Sequence, residues 1–325
     1  MSAALALSSV PSVADACRGE LPLRLNLRHA GERDVVVRFE VRGDASFPAI
    51  VVLGGISAGR HVASSAAYPE AGWWERQRAV FDAHCVVSFD WVGADGTLDA
   101  PINPRDQALA LAAVLDHLEI ERIEAFVGCS YGAMVGLAFS ADFPQRVRHL
   151  VAIAGAHRPH PFASAWRALQ RQVVALGQLQ CDETQGLSIA RQLALLSYRT
   201  PEEFGARFDV ETSVAGNTAR CGAEDWLADH GAAYANRTPA TAFLRLSESI
   251  DLHRVEPRDI RVPTTLIAFE EDRLVPADDV RALAAGIDAP VRLRILRSTY
   301  GHDAFLKEPV AIAACLRDAF EEVRA

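Results

Sequence analysis

The stretch GCSYG at residues 128–132 decides the fold, because it follows the predicted strand 123–127 and precedes a helix-like run that starts at Ala133. Small residues at both ends of the stretch allow a sharp turn between a strand and a helix, which would hold the Ser130 hydroxyl at the top of a sheet. The next amide and the helix N-terminus would then point at a developing oxyanion. The pattern therefore predicts a nucleophilic serine; the alternative is a turn whose serine only caps the helix.

Apolar runs that alternate with helical stretches extend this pattern along the chain. Runs such as IVVL at residues 50–53 are continuously apolar, as parallel strands covered on both faces must be. A helix is predicted over residues 106–118, with Asn103-Pro104 as its start. The order strand, helix, strand predicts an α/β fold with a mostly parallel sheet and helices on both faces. The predicted strands are 35–41, 49–53, 85–89, 123–127, 150–153, 264–269 and 291–296.

The alternation of strands and helices stops over residues 157–257, where Arg-, Gln- and Ala-rich helical segments occur without a convincing strand. We interpret this segment as a helical lid inserted over the edge of the sheet. The core of the α/β domain is then predicted to comprise residues 21–156 and 258–325, and residues 1–20 are predicted to be a mobile tail.

Composition and charge narrow the function classes. The chain has 325 residues, 50% of them hydrophobic and 23% charged, and a net charge of −9 without a long basic run, which argues against nucleic acid as a partner. The six scattered cysteines form no CxxC pair and no zinc spacing, which favours a reducing cytoplasm and no metal site. No apolar run reaches membrane-spanning length, and the N-terminal stretch resembles no secretory signal. A small-molecule role is expected.

A serine nucleophile needs an acid and a histidine, which in this fold follow it in that order. Asp272 follows the predicted strand 264–269, and Glu270 or Glu271 are alternatives for the acid. His302 lies in the loop after the last predicted strand, where the base is expected. A second oxyanion-stabilising amide should come from the loop GGIS at residues 54–57, which could also be an ordinary glycine turn.

These segments together resemble the homoserine O-acyltransferase family, enzymes of methionine biosynthesis with the α/β-hydrolase fold. The resemblance covers nearly the whole chain after about residue 20 and is most specific in YGHDAFL at residues 300–306. The other segments are GGIS at 54–57 with HV at 61–62, GWW at 72–74, VGCSYGAMV at 127–135, AR at 190–191 and SYR at 197–199.

The resemblance implies a role for each matching catalytic position. Ser130 would be the nucleophile, His302 the base and Asp272 the partner of the base, whereas the amides of Ile56 and Tyr131 would form the oxyanion hole. Many members of the family carry Met after the nucleophile and a His-Ala-Leu-Thr-Gly loop at the oxyanion hole. This chain has Tyr131 and GGIS instead, which leaves the acyl donor open between succinyl and acetyl.

The resemblance also implies an acceptor site. Asp303 would hold the amino group of homoserine, and Arg191 with Tyr198 would meet its carboxylate, as an amino acid needs one anion and one cation placed apart. Taken alone, Arg191 and Tyr198 could simply share a helix face, and Asp303 could cap a turn.

Further expectations concern the co-substrate and the assembly. The family implies acyl-CoA as co-substrate, no bound cofactor, and a homodimer formed through the lid. Three lid arginines could meet the phosphates of CoA or simply line a solvated helix face: Arg158, Arg167 and Arg171. The alternatives left open are a serine hydrolase with the same triad, the same transfer to L-serine, and a non-catalytic binding protein.

Overall fold

A computed structural model describes residues 15–180 and 182–324 of the chain, of which Arg324 is described in its backbone only. The strands over these residues are β1 (Ala16–Leu27), β2 (Gly31–Arg42), β3 (Ala49–Leu53), β4 (Cys85–Phe89), β5 (Ile123–Cys129), β6 (Val147–Ile153), β7 (Ser213–Ala215), β8 (Thr218–Arg220), β9 (Thr264–Phe269) and β10 (Val291–Leu296). The α-helices are α1 (Pro104–His117), α2 (Tyr131–Asp142), α3 (Pro161–Leu179), α4 (Glu183–Tyr198), α5 (Pro201–Phe208), α6 (Glu224–Ala235), α7 (Ala240–Asp251), α8 (Ala277–Gly286), α9 (Ala304–Lys307) and α10 (Pro309–Arg324).

Eight of the strands form one sheet in the order β1-β2-β4-β3-β5-β6-β9-β10. β2 pairs antiparallel with β1 and with β4, whereas all pairs from β4 through β3, β5, β6 and β9 to β10 are parallel. Every residue of β4 and β9 is buried, as expected for mostly apolar strands that are covered on both faces. The predicted mostly parallel α/β sheet is confirmed, and its parallel strands end at one common edge.

Helices cover both faces of this sheet. One apolar cluster joins α1, α2 and α8 to the sheet, and a second joins α10 and the segment around Trp74 to the opposite face. The first of these helices, α1, begins at Pro104, because the Asn103 side chain accepts hydrogen bonds from the amides of Arg105 and Asp106 and Asp106 bonds back. The helix predicted over 106–118 therefore starts two residues earlier than the sequence suggested.

Two predictions from the sequence need correction: the extent of the N-terminal tail and the absence of strands from residues 157–257. The tail was predicted to extend to residue 20, but residues 16–20 belong to β1, where they pair with β2; residues 1–14 lie outside the described part. No strand was expected within 157–257, yet β7 and β8 form a small hairpin there, whose turn contains Gly216 at φ 61°. These strands have three residues each and are fully exposed, so they carry no alternating apolar pattern.

Five helices, α3 to α7, lie between β6 and β9 in the chain. We call residues 157–257 the lid segment, and its division from the core stays a prediction. Within the described ranges, no helix combines the length and the apolarity that a bilayer crossing requires.

Candidate active site

The turn between β5 and α2 holds Ser130 in a conformation that few side chains adopt, with φ 54° and ψ −112°. A Cβ built on Gly128 would lie 2.3 Å from the carbonyl oxygen of Gly132, and one built on Gly132 would lie 2.3 Å from that of Leu53. Both contacts are to backbone, which cannot move aside. Glycine at both positions is therefore what permits the sharp turn that exposes the serine.

The Ser130 hydroxyl is hydrogen-bonded to a histidine from the other end of the chain. Its Oγ lies 2.8 Å from Nε2 of His302, and Nδ1 of His302 lies 2.7 Å from Oδ2 of Asp272. The other oxygen of Asp272 accepts bonds from the amides of Leu274 and Val275, at 2.8 and 3.0 Å. The fixed carboxylate favours the tautomer with a proton on Nδ1, which leaves Nε2 free to accept the serine proton.

The two neighbouring carboxylates, which the sequence left as alternatives, face elsewhere. Glu271 accepts a hydrogen bond from the amide of Ser298 at 2.8 Å and pairs with Arg297, whereas Glu270 lies 3.5 Å from Arg281. The structure therefore brings Asp272 to His302, and Glu271 supports the loop that leads to the histidine.

The pKa of His302 reflects opposing influences. Burial lowers this pKa, but the charge of Asp272 and the hydrogen bond to it raise it, Asp303 raises it further, and the net value lies above the ordinary 6.5. Desolvation and a neighbouring carboxylate act in these directions because they disfavour and favour the imidazolium, respectively.

We expect activity to decline as the pH falls through a midpoint above 6.5, because the imidazole must be neutral to accept a proton and its pKa is raised. The measurement is a pH profile of kcat/KM for the acyl donor in buffers of constant ionic strength. An acid-limb midpoint at or below 6.5 would contradict the expectation.

Two backbone segments meet beside Ser130. The amide of Tyr131 is the first of α2 and so has no partner within the helix. A Cβ built on Gly55 would lie 3.9 Å from Cβ of Ser130, which places the loop with Ile56 next to the hydroxyl. This loop is held by a bond from Nε1 of Trp91 to the Gly55 carbonyl, at 3.1 Å. The arrangement can present two amides to an oxyanion.

The Tyr131 side chain points away from this site into the core. Its ring is fully buried and packs edge-on against Trp91, with 4.7 Å between the ring centroids. Its hydroxyl is hydrogen-bonded to that of Ser249 in α7, at 2.6 Å. The residue that departs from the family pattern thus ties the serine turn to the lid segment.

A cavity of about 260 Å³ opens beside Ser130 and His302, between the sheet edge and the lid segment. All the residues predicted for the oxyanion hole and the acceptor site line it: Ile56, Tyr131, Arg191, Tyr198 and Asp303. The lid arginines Arg158 and Arg167 line it as well.

Arg191 and Tyr198 form one wall of the cavity. The Arg191 guanidinium lies 5.5 Å from the ring centroid of Tyr198 and 4.8 Å from that of Tyr234. Among the described residues, no carboxylate lies within ion-pair distance of Arg191. Burial raises the pKa of Tyr198, so its hydroxyl stays protonated and can donate a hydrogen bond.

Asp303 also lines the cavity and is already paired. Its Oδ2 accepts a hydrogen bond from Nε of Arg199 at 2.7 Å, and its side chain is 14% exposed. One ammonium group could bind the remaining lone pairs of the carboxylate. Arg199 and its partner Glu203 had no role in the sequence interpretation, although Arg199 is part of the SYR segment.

Two of the three lid arginines are also paired. Arg167 and Arg171 both bind the carboxylate of Asp251, at 2.6 and 2.8 Å. Arg158 is 42% exposed and lies 3.9 Å from Asp279, so its charge is the least neutralised of the three. Nothing in the sequence around Asp251 marks it as their partner, because it is 80 or more positions away.

In the described part of the chain, no group of three or more His, Cys, Asp and Glu side chains is arranged to hold a metal ion. The fold and the site together are those of serine-nucleophile enzymes built on an α/β sheet.

Comparisons with known proteins agree with this class. A family model for the alpha/beta hydrolase fold matches residues 48–309. A curated homoserine O-succinyltransferase from Xanthomonas campestris pv. campestris is 54% identical over 309 residues, 94% of this chain and 84% of that protein. The homoserine O-acetyltransferase of Thermus thermophilus is 35% identical over 68% of this chain and 58% of that protein.

Among solved structures, the homoserine O-acetyltransferase of Bacillus anthracis superimposes with a TM-score of 0.85, covering 94% of this chain and 97% of that one at 13% identity, which supports the fold alone. The chain belongs to the α/β-hydrolase fold family and, within it, to the homoserine O-acyltransferases. The fold class and the family predicted from the sequence are thereby confirmed.

Proposed function

We propose that this protein moves an acyl group, succinyl or acetyl, from acyl-CoA to the hydroxyl of L-homoserine, in methionine biosynthesis. One observation carries the proposal: the hydrogen-bonded line from Ser130 through His302 to Asp272 opens into a cavity that also contains Asp303 and Arg191. A nucleophile beside an anion and a separate cation suits an acceptor that is itself an amino acid. The 54% identical relative named homoserine O-succinyltransferase supports the same activity.

In the first half-reaction, Oγ of Ser130 attacks the thioester carbonyl carbon while Nε2 of His302 takes the hydroxyl proton. The amides of Ile56 and Tyr131 bind the resulting oxyanion. When the C–S bond breaks, His302 gives the proton to the departing CoA sulfur, and the acyl group stays on Ser130 as an ester.

In the second half-reaction, the homoserine hydroxyl loses its proton to Nε2 of His302 and attacks the acyl ester. Collapse of the intermediate breaks the bond to Ser130, which recovers the proton from His302. Asp303 binds the acceptor's amino group, and Arg191 with Tyr198 binds its carboxylate. These contacts orient the hydroxyl, so that it reacts in preference to water.

Succinyl is the donor that the cavity favours. Arg237 is a further guanidinium that lines the cavity, 5.9 Å from the Tyr234 ring centroid, and within the described ranges it has no carboxylate partner at ion-pair distance. A succinyl group carries one carboxylate more than an acetyl group, which such a cation can bind. The proposal includes Arg158 as a contact for the CoA phosphates, no tightly bound cofactor or metal, and a cytoplasmic location.

The test is to incubate the purified protein with L-homoserine and either succinyl-CoA or acetyl-CoA, and to follow the release of free thiol. A tube without homoserine, a tube with L-serine and the Ser130→Ala variant are the controls. We expect homoserine-dependent release that is faster with succinyl-CoA. Continuous thiol release at the same rate with and without homoserine would identify a thioesterase and contradict the proposal. Thiol release that L-serine accelerates as much as L-homoserine does would also contradict it.

We also propose that two copies associate through the lid segment. Helix α3 presents Phe162, Leu169 and Leu176, seven residues apart, with exposures of 51, 53 and 59%. Residues with this spacing lie on one face of a helix, and such an apolar stripe is typical of helix pairing between chains. The same helix exposes 81% of Leu179 near its end. A second copy of α3 offers a matching surface under two-fold symmetry.

We expect light scattering to report twice 35.2 kDa for the wild type, and 35.2 kDa for a variant with Leu169→Glu and Leu176→Glu. Two carboxylates in the stripe oppose burial of the apolar face. The control is Val310→Glu, on α10, because this valine is 82% exposed and lies outside the lid segment. A wild type of 35.2 kDa at micromolar concentration would contradict the dimer.

A further inference from the structure

The end of α4 carries a buried arginine, Arg199, whose side chain is directed to the loop of the catalytic histidine. We propose that Arg199 is a positioning residue for Asp303: it fixes the carboxylate that receives the acceptor's amino group and limits the negative charge beside His302. This inference rests on the proposed function, since it gives Asp303 the role of binding the acceptor. Arg199 itself does not line the cavity and so acts through Asp303.

The ion pair between Arg199 and Asp303 is short and shielded from water. Nε of Arg199 lies 2.7 Å from Oδ2 of Asp303, and the two side chains are 7 and 14% exposed. The contact is one hydrogen bond from Nε, and the rigid guanidinium fixes the direction from which that bond is donated. With Oδ2 engaged, the lone pairs that remain on Asp303 are those available to a ligand in the cavity.

Arg199 has a second carboxylate partner, Glu203. Its Nη1 lies 3.2 Å from Oε1 of Glu203, which is 5% exposed and also binds Arg207 at 3.0 Å. The four side chains alternate in charge from the cavity wall at Asp303 to the surface, where Arg207 is 39% exposed. A buried arginine with a carboxylate on each side has little freedom to turn away from Asp303.

Close backbone contacts join the C-terminal end of α4 to the loop that carries His302 and Asp303. A Cβ on Gly301 would lie 2.7 Å from the carbonyl oxygen of Tyr198, and Gly301 has φ +56°. The Thr200 hydroxyl donates a hydrogen bond to the carbonyl of Thr299. The helix that carries Arg191 and Tyr198 therefore docks on the loop that carries His302 and Asp303, and the Arg199–Asp303 pair lies at the junction.

The same pair adjusts the charge around His302. The charged groups that act on its imidazole are Asp272 and Asp303, which favour the imidazolium, and Arg167, which opposes it. Arg199 offsets part of the Asp303 charge. Without Arg199, the charge of Asp303 would favour the imidazolium of His302 more strongly, and the base would become protonated at a higher pH.

The test is Arg199→Gln, measured in each half-reaction separately. We expect the burst of thiol release from acyl-CoA without homoserine to keep its rate at the alkaline plateau. The KM for homoserine should rise about tenfold, and the acid limb of the burst rate should move up by about half a pH unit. Arg199→Lys should recover part of both effects, because it restores the charge without the planar fork.

The matched control is Arg207→Gln, which removes a cation from the same chain of charges without touching Asp303; its KM and acid limb should equal those of the wild type. In Arg199→Gln the buried carboxylate of Glu203 loses one of its two arginine partners, which can destabilise the fold. If this variant does not fold, the double variant Arg199→Gln, Glu203→Gln is measured in its place, because it removes that carboxylate charge as well.

The outcomes separate this inference from the proposed function. A wild type without homoserine-dependent turnover would refute the proposed function. A wild type that works, with variants at Arg199 that leave the KM for homoserine and the acid limb unchanged, would overturn the positioning role alone. A loss of the burst at the alkaline plateau that matches the loss of turnover would also overturn it, since it would indicate a general structural effect.

Discussion

Replacing Ser130 by alanine should lower kcat by about 10⁴- to 10⁶-fold, because the variant has no group that can carry the acyl ester. The hydroxyl lies 2.8 Å from Nε2 of His302 at the wall of the cavity, which places it where that base can take its proton. Cys129 is adjacent in sequence, but it is fully buried and burial raises the pKa of its thiol, so it remains protonated.

The measurement is thiol release under saturating substrates, together with mass spectrometry of the intact protein after mixing with acyl-CoA alone. The wild type should gain the mass of one acyl group, and Ser130→Ala should gain none. Ser140→Ala is the matched control: this serine lies in α2, is fully buried, and its hydroxyl has no hydrogen-bond partner among the described residues. An acylated Ser130→Ala protein would exclude Ser130 as the nucleophile.

Replacing Asp272 by asparagine should lower kcat by about 10³- to 10⁴-fold while the protein stays folded. The amide oxygen of asparagine can still accept the bonds from Leu274 and Val275, which leaves its NH₂ group facing Nδ1 of His302. Nδ1 must then accept a hydrogen bond, so the proton of the imidazole moves to Nε2. In that tautomer His302 cannot take the proton of Ser130.

The control for this variant is Glu270→Gln, which changes a neighbouring carboxylate that is 49% exposed and paired with Arg281. We expect it to keep the activity of the wild type. The circular dichroism spectrum and the thermal midpoint of both variants show whether the fold is retained. Equal losses of activity in the two variants would contradict the assignment of Asp272, and a fully active Asp272→Asn would exclude it.

Much of the fold could be predicted from local patterns. The buried strands from β3 to β6 and β9 are mostly apolar, and their alternation with helices indicates a parallel sheet. The positions of Ser130 and His302 followed from the same patterns, because a turn with glycines and a loop after the last strand are local features. The hairpin of β7 and β8 was missed, since three exposed residues per strand leave no periodic signal.

The choice among neighbouring carboxylates needed the structure. The sequence offered Asp272 as the acid with Glu270 and Glu271 as alternatives, and each of the three could have faced the histidine. Only the path of the chain after β9 decides which of them does, because each residue along such a turn directs its side chain differently. The structure directs Asp272 inwards, and it directs Glu271 to the amide of Ser298.

The sequence by itself determined the alternation of the parallel strands with helices, the sharp turn at Ser130 and the family, because these depend on residue type and short spacing. The tertiary structure alone decided which charges neutralise one another. Asp303 binds Arg199 across 104 positions, and Asp251 occupies Arg167 and Arg171 across 84 and 80 positions. Such pairs form because packing brings distant segments together in a site with little water, where an unpaired charge is costly, and no local pattern records which segments will meet.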